Sequence, residues 1–300
     1  MIYLLKLLIR TALYIFCKEI YIKNKSLVNT KGPLLIIANH PNSFLDAVII
    51  GAQYSRRVYF LARGDVFTKK HHRYLLGLLN MIPVYRLREG REFLNLNEYA
   101  FVASKNLLAK GEAVLIFIEG ICLNTNELQP FKKGTTRILQ GTQELGVFPS
   151  IHVVGIGYDN FRGVGKYVHV VYNDFPYTKT IITAKDRVEF NTEVFALLNK
   201  NIIIPIVPPA NNSLARKLIF AFARAIYYLQ VPYYFPLRSF VARATKNTVF
   251  YDSVLFAVLL FTYPLFLLII FALLYQLSLP LPIILIILFA IPLISKFASK

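Results

Sequence analysis

The chain has 300 residues, of which 56% are hydrophobic and 17% are charged, and its formal net charge is +18. This composition is too apolar for an ordinary soluble protein and too charged for a protein made only of membrane spans. A basic, apolar chain suggests nucleic acid, anionic lipid or a phosphorylated substrate as its partner. The sequence has no zinc-ligand cluster, glycine-rich RNA-binding signature or polybasic tail, so we expect membrane lipids and no nucleic acid. Cys17 and Cys122 are far apart in the sequence, which argues against a disulfide framework and fits a reducing compartment.

Residues 1–24 predict an amphipathic helix. Its polar stripe recurs every four residues and consists of Lys6, Arg10, Tyr14 and Lys18, while the remaining residues are mostly Leu, Ile, Phe and Ala. Such a helix would lie in the membrane interface with its cations toward the lipid headgroups. A signal peptide is disfavoured because two cations interrupt the apolar segment, and a buried helix packed on the following domain is an alternative.

Residues 25–204 are predicted to form one domain in which short apolar runs alternate with longer amphipathic segments. The amphipathic segments predict helices at residues 46–54, 69–79, 91–108 and 134–145. The apolar runs predict strands at PLLIIA, VYFLA, MIPVY, AVLIFI, HVVGIG and YVHVVY. Strands that alternate with helices indicate an α/β fold with a mixed, mostly parallel sheet flanked by helices.

Residues 205–250 are predicted to be basic linker helices. The segment PIVPPANNS, residues 205–213, interrupts the α/β pattern and ends in a helix-start signal. A basic helix with Arg216, Lys217 and Arg224 is predicted next, and VPYYFP is expected to break it.

Residues 251–297 are predicted to be a hydrophobic membrane hairpin, because residues 253–295 contain no charged side chain. One membrane span needs about 20 residues, so this stretch can hold two spans with a turn at residues 276–282. Its outer ends are basic and its turn is uncharged, which favours a cytoplasmic location for both ends and for the α/β domain. A shallow re-entrant hairpin and a hairpin buried in a soluble core are the alternatives.

His40 and Asp46 stand in the segment IIANHPNSFLDAVI, at the joint between a predicted strand and a predicted helix. Inside one helix their side chains would point about 120° apart and could not meet. They can meet if His40 lies on the loop and Asp46 lies in the first turns of the helix, and Pro41 favours that division. The carboxylate would then fix the imidazole tautomer and leave the other ring nitrogen as a general base. Alternatively, an asparagine caps the helix and His40 is incidental.

Three charged motifs follow in order, MIPVYR, FIEG and FKKG, each at a predicted strand end or loop. Together with the His40–Asp46 segment, over roughly residues 32–174, they resemble the phospholipid/glycerol acyltransferase superfamily, whose members acylate glycerol 3-phosphate or lysophosphatidic acid. The matched residues are Asn39, His40 and Asp46, then Arg86, then Phe117, Glu119 and Gly120, and then Phe131, Lys132 and Gly134.

The resemblance implies acyl transfer from an acyl-CoA or acyl-carrier-protein thioester to a hydroxyl, without a cofactor. His40 would be the base, since a thioester is already activated and needs no covalent intermediate. The phosphate of the acceptor would be bound by Arg86, with Lys132 and Lys133 as further candidates. Glu119, beside Gly120 in the expected substrate-binding loop, would accept a hydrogen bond from the acceptor hydroxyl or hold one of these cations.

Two features depart from the family pattern. Five residues separate His40 from Asp46 instead of the usual four, a spacing like that of fungal glycerol-3-phosphate acyltransferases and some bacterial relatives. The loop around Pro41 and Asn42 must therefore bulge if the two side chains meet. Ile121-Cys122 replaces the usual Thr-Arg or Thr-Asn, so an amino-acid lipid or a larger lysophospholipid is an alternative acceptor. A lipid-binding protein without catalytic activity is the alternative of another class.

Overall fold

A computed structural model of the chain describes residues 2–67, 70–85, 96–207 and 214–298. These residues form a seven-stranded sheet with the strand order β1-β7-β6-β2-β5-β3-β4, in which only the β6–β7 pair is antiparallel. The predicted α/β class with a mostly parallel sheet is confirmed. The strands are β1 (Cys17–Lys23), β2 (Leu34–Ala38), β3 (Val58–Arg63), β4 (Met81–Val84), β5 (Ala113–Phe117), β6 (Ser150–Tyr158) and β7 (Lys166–Asp174).

Helices cover both faces of this sheet because its central strands are apolar on both sides. In β2, Leu34 and Ile36 face one core, whereas Leu35 and Ile37 face the other. The helices are α1 (Ile2–Phe16), α2 (Phe44–Gln53), α3 (Lys70–Leu78), α4 (Leu96–Ala109), α5 (Gly134–Gln143), α6 (Ala184–Asn201), α7 (Leu214–Leu229), α8 (Val231–Ala244), α9 (Tyr251–Gln276) and α10 (Leu281–Ala298). The first core includes residues of α1, α2, α8 and α9, and the second includes residues of α4, α5 and α6.

The N-terminal helix is shorter than predicted, because it ends at Phe16 and the chain continues as β1. The segment CKEIYIK alternates in burial, and Ile20 and Ile22 pair in parallel register with Val168 and Val170 of β7. Residues 17–23 therefore form a strand and not the end of the predicted helix, because their side chains alternate in burial and their backbone pairs with β7.

The cations of α1 were predicted to face the lipid headgroups, but they bind backbone carbonyls of the domain instead. The Lys6 ammonium donates to the carbonyl oxygens of Tyr54, at 2.7 Å, and Arg56, and the Arg10 guanidinium donates to that of Ala52 at 2.7 Å. The last carbonyls of a helix lack intrahelical partners and carry its negative dipole end, so cations bind there. Burial and the neighbouring Arg10 charge lower the pKa of Lys6 to about 8.

As a result, α1 presents its apolar side outward. The exposed side chains include Tyr3, Leu4, Leu7 and Leu8. An exposed apolar stripe of this kind is typical of a surface that contacts a membrane or another protein. The stripe belongs to a helix that packs on the same face of the sheet as α9.

The segment VPYYFP does not form the expected break but begins α8, which continues through Pro236. Proline is tolerated in the first turn of a helix, where the backbone N–H has no partner, and Pro232 occupies such a position. The break itself lies one residue earlier, at Gln230 between α7 and α8.

The C-terminal apolar stretch forms two helices, α9 and α10, joined by residues 277–280. Among the described residues, α9 is the one helix long and apolar enough to cross a membrane. Its first turns are buried in the domain, including Tyr251, Leu255 and Phe256. The remaining residues, 257–276, would span about 30 Å, which is close to the apolar thickness of a bilayer.

Candidate active site

The candidate site lies where the carboxyl ends of four aligned strands meet. β2, β3, β5 and β6 all run in the same direction, and polar side chains stand at or just beyond their ends. Open α/β sheets bind ligands at this edge because the loops there diverge to form a crevice. The residues concerned are His40 after β2, Arg63 in β3, Glu119 after β5 and Tyr158 in β6.

His40 and Asp46 are in contact, with 2.9 Å between His40 Nδ1 and Asp46 Oδ2. His40 lies on the loop that leaves β2, and Asp46 lies in the first turn of α2. The imidazole also stacks on the ring of Phe117, with a centroid distance of 3.8 Å and an interplanar angle of 10°. The ring is therefore fixed in orientation through Nδ1 and its stacked face, and no hydrogen bond from its Nε2 atom is found among the described residues.

The Asp46 carboxylate has two further donors besides His40. The backbone N–H of Asn42 donates to Oδ2 at 2.7 Å, and the Tyr158 hydroxyl donates to Oδ1 at 2.7 Å. Burial, with the nearby charge of Asp46, raises the pKa of Tyr158 well above its ordinary value, so the hydroxyl keeps its proton. Asp46 has no exposed surface, and these donors replace the water that a buried carboxylate loses.

The extra residue between His40 and Asp46 is accommodated at Ser43. This residue has φ 55° and ψ −140°, a backbone conformation that L-residues rarely adopt. Its N–H donates to the Sγ atom of Cys122 at 3.0 Å. The bulge expected around Pro41 and Asn42 is thus present one residue later, and the family-divergent cysteine helps to hold it.

Glu119 holds two backbone groups of the site. One carboxylate oxygen accepts from the N–H of His40 and the other from the N–H of Gln129, both at 2.9 Å. Burial raises its pKa above the ordinary value, although the two backbone bonds oppose the shift. No lysine or arginine among the described residues forms an ion pair with it. Each oxygen thus has one backbone donor, and the predicted bond to an acceptor hydroxyl stays a prediction.

The other predicted site residues within the described ranges are Gly120, Lys132 and Lys133. Gly120 has φ 61°, and a Cβ atom there would be 2.8 Å from Cγ of Lys132, so the turn requires glycine. The side chains of Lys132 and Lys133 are exposed and do not line the cavity beside His40. Arg86 lies outside the described residues.

A cavity of about 280 Å³ opens beside His40. Arg63 also lines it, and its guanidinium pairs with Asp65 and lies 5.3 Å from the ring centroid of Phe250. The sequence reasoning missed Arg63, although the strand-end argument used for Arg86 applies equally to this residue. The other lining residues are Ser43, Cys122, Asn247, Thr248, Val249 and Phe250.

Within the described residues, no group of three or more His, Cys, Asp or Glu side chains is arranged to hold a metal ion. Among the described residues that line the cavity beside His40, the reactive or charged groups are the imidazole of His40, the guanidinium of Arg63 and the thiol of Cys122.

Comparison with known proteins agrees with the motif analysis. A family model described as Acyltransferase matches residues 19–159, which contain His40, Asp46 and Glu119. Among solved structures, the chain is similar to the 1-acyl-sn-glycerophosphate (LPA) acyltransferase PlsC from Thermotoga maritima, with 16% identity and a TM-score of 0.48 over 64% of this chain and 74% of that chain. No curated protein matches the chain. The family match confirms the resemblance based on the motif blocks.

Replacing Tyr158 by Phe should destabilise the protein, because Asp46 would lose one donor while the ring stays in place. Hydrogen bonds to charged groups contribute about 1.5–3 kcal/mol, so thermal unfolding should occur at a clearly lower temperature. Tyr172→Phe is the matched control, since this buried hydroxyl makes a 3.3 Å bond to the neutral carbonyl of Ile50. Equal losses in the two variants would contradict a special role for the Tyr158 hydroxyl.

Proposed function

We propose that the chain is an acyltransferase, which transfers a fatty acyl group from a thioester to a hydroxyl of glycerol 3-phosphate or lysophosphatidic acid; the match of residues 19–159 to the acyltransferase family model supports this proposal. The observation that carries the proposal is the 2.9 Å contact between His40 and the buried Asp46 carboxylate beside an open cavity. An imidazole held at one nitrogen by a carboxylate is suited to accept a proton at the other nitrogen.

In the proposed reaction, the acceptor hydroxyl attacks the thioester carbonyl as its proton passes to His40 Nε2. Asp46 stabilises the imidazolium that forms and keeps the ring in place. The tetrahedral intermediate then expels the thiolate, which takes the proton from His40, so the base is regenerated. The C–O bond forms and the C–S bond breaks without a change of oxidation state. Alignment of the two substrates would supply much of the remaining acceleration.

The cavity supports a small phosphorylated acceptor. Its volume of about 280 Å³ lies just below the range typical of drug-sized ligands, which suits a glycerol phosphate group better than an acyl chain. Arg63 and His40 line the same cavity. A guanidinium group can bind phosphate through two parallel hydrogen bonds. We assign the acceptor phosphate to Arg63, with Arg86 as the second cation.

The apolar surface supports a membrane setting, in which a lipid acceptor and an acyl chain would be available. The exposed side of α1 and the exposed length of α9 belong to helices that pack on the same face of the sheet. The basic outer ends of the hairpin favour a catalytic domain on the cytoplasmic face, where acyl-CoA or acyl carrier protein would deliver the chain.

His40→Ala should reduce acyl transfer by about 100- to 10,000-fold, the range supplied by a positioned general base. Purified membranes should be assayed with acyl-CoA and acyl-carrier-protein donors against glycerol 3-phosphate, lysophosphatidic acid and larger lysophospholipids. His169→Ala is the matched control, because His169 lies on β7 and does not line the cavity. Full activity of His40→Ala would refute the mechanism, and no turnover by the wild type with any pair would favour a lipid-binding protein.

Arg63→Ala should raise KM for the phosphorylated acceptor by about tenfold or more while changing KM for the thioester little, because a charged hydrogen-bond donor is lost. Arg57→Ala is the control, since Arg57 lies just before the opposite end of the same strand and its side chain does not line the cavity. Steady-state kinetics with each substrate varied in turn would make the measurement. An unchanged acceptor KM would exclude Arg63 from phosphate binding.

The membrane setting can be tested with single tryptophan reporters, because the sequence contains no tryptophan. Leu8→Trp in α1 and Phe261→Trp in α9 should be quenched by phospholipids brominated on their acyl chains. Val188→Trp, at a 66% exposed site in α6 beyond the other face of the sheet, should not be quenched. Similar quenching at positions 8 and 188 would contradict the proposed membrane face.

A further inference from the structure

The first turn of the apolar helix α9 contains two polar residues that are buried, Asp252 at 0% and Ser253 at 5% exposure. Buried polar groups require hydrogen-bond partners, since unpaired ones are costly. The partners of these two residues identify what the start of the helix does.

Asp252 connects three separate parts of the chain. Its Oδ2 atom accepts a hydrogen bond from Asn42 Nδ2 at 2.9 Å and pairs with the buried Lys166 ammonium, and its Oδ1 atom accepts from the N–H of Gly163 at 2.7 Å. Asn42 lies in the five-residue segment between His40 and Asp46. The carboxylate at the start of α9 is therefore bonded directly to the loop of the proposed catalytic pair.

Ser253 adds two hydrogen bonds to the same loop. Its hydroxyl oxygen accepts from the N–H of Leu45 at 3.0 Å, and the hydroxyl donates to the carbonyl oxygen of Asn42 at 3.2 Å. The N–H of Asn42 is in turn a donor to Asp46. Asn42 is thus held by α9 through its side chain and its carbonyl while its N–H holds the carboxylate of the pair.

The hydrogen bonding of the Asn42 side chain indicates that it serves mainly to link the loop to α9. Its amide oxygen has no hydrogen-bond partner within the described part of the chain, whereas its amide nitrogen donates to Asp252. Burying an amide oxygen without a partner destabilises the fold. The Asn42 side chain is fully buried in spite of this, which is consistent with a role for its one hydrogen bond in fixing the loop.

The loop needs such fixing because Ser43 occupies an unfavourable backbone conformation. Strained residues persist only where the surroundings determine them from several sides. Cys122 holds the loop from the sheet side, through the N–H of Ser43, and α9 holds it from the other side. The segment, which is one residue longer than the usual family spacing, is thus bonded from both sides.

We propose that Asp252 and Ser253 are positioning residues, which set the longer His40–Asp46 loop so that Asp46 meets the imidazole. This inference rests on the proposed function for its kinetic consequence, but its structural consequence is independent of it. The beginning of the membrane-type helix is then part of the geometry of the site, and not only an attachment to the domain.

The test uses the full-length protein in detergent micelles with Asn42→Ala and Ser253→Ala. Both variants keep the Lys166–Asp252 pair, so neither leaves a buried charge without a partner. Each should lower kcat on the order of tenfold, with acceptor KM within about twofold of wild type, because the loop and not the substrate cavity is disturbed. Ser253→Thr, which keeps the hydroxyl, should restore kcat to within about threefold of wild type.

Amide hydrogen exchange measured by mass spectrometry gives the second readout. Peptides that cover residues 39–46 should exchange about tenfold faster in Asn42→Ala and Ser253→Ala. Phe256→Leu is the matched control in the same helix, because Phe256 packs edge-to-face on Phe16 and makes no hydrogen bond to the loop. It should lower the unfolding temperature but leave kcat and loop exchange unchanged.

The outcomes separate the two proposals. A wild type without turnover for any substrate pair would refute the proposed function, and loop exchange would still decide whether α9 positions the loop. An active wild type whose Asn42→Ala and Ser253→Ala variants keep both kcat and loop protection would overturn the positioning role alone. Losses that Phe256→Leu reproduces in full would also overturn it, since they would show a purely structural attachment.

Discussion

The buried carboxylate of Asp46 is the group on which the site depends. A charge without exposed surface is costly unless donors surround it, and here the donors come from the imidazole, a loop amide and a tyrosine hydroxyl. Tyr158 can reach Asp46 because the strand order places β6 directly beside β2. The strand order, the conformation of the loop and the orientation of His40 together bring three donors to one carboxylate.

Two more buried carboxylates repeat this arrangement around the same loop. Glu119 accepts from the backbone of His40, and Asp252 accepts from the side chain of Asn42, so each end of the loop has an acidic partner. The chain carries a strong positive charge overall, yet the buried acids of its described residues, Asp46, Glu119 and Asp252, all contact this loop. Acidic side chains thus determine the backbone conformation here, while Arg63 presents a positive group to the adjoining cavity.

The sequence was sufficient for the sheet strands with continuous apolar runs and for the division of His40 and Asp46 between loop and helix, because both follow from local spacing and proline geometry. It failed at β1, where strand pairing with β7 overrode the helical stripe. It also missed α6, although Thr183 and Asp186 form a capping box that signals its start. The contacts of Glu119 with backbone amides and of Asn42 with a residue 210 positions later leave no local pattern that could reveal them.

That separation of 210 positions between Asn42 and Asp252 has a consequence for the order of assembly. Protein synthesis proceeds from the N-terminus, and domains generally begin to fold as they emerge. His40, Glu119 and Tyr158 are all synthesised before α9, so the loop of the emerging domain still lacks its contacts with that helix. Its last hydrogen bonds form only when the start of the apolar hairpin docks. Completion of the loop is therefore tied to docking of the first turn of α9, one of the last elements of the chain to be synthesised.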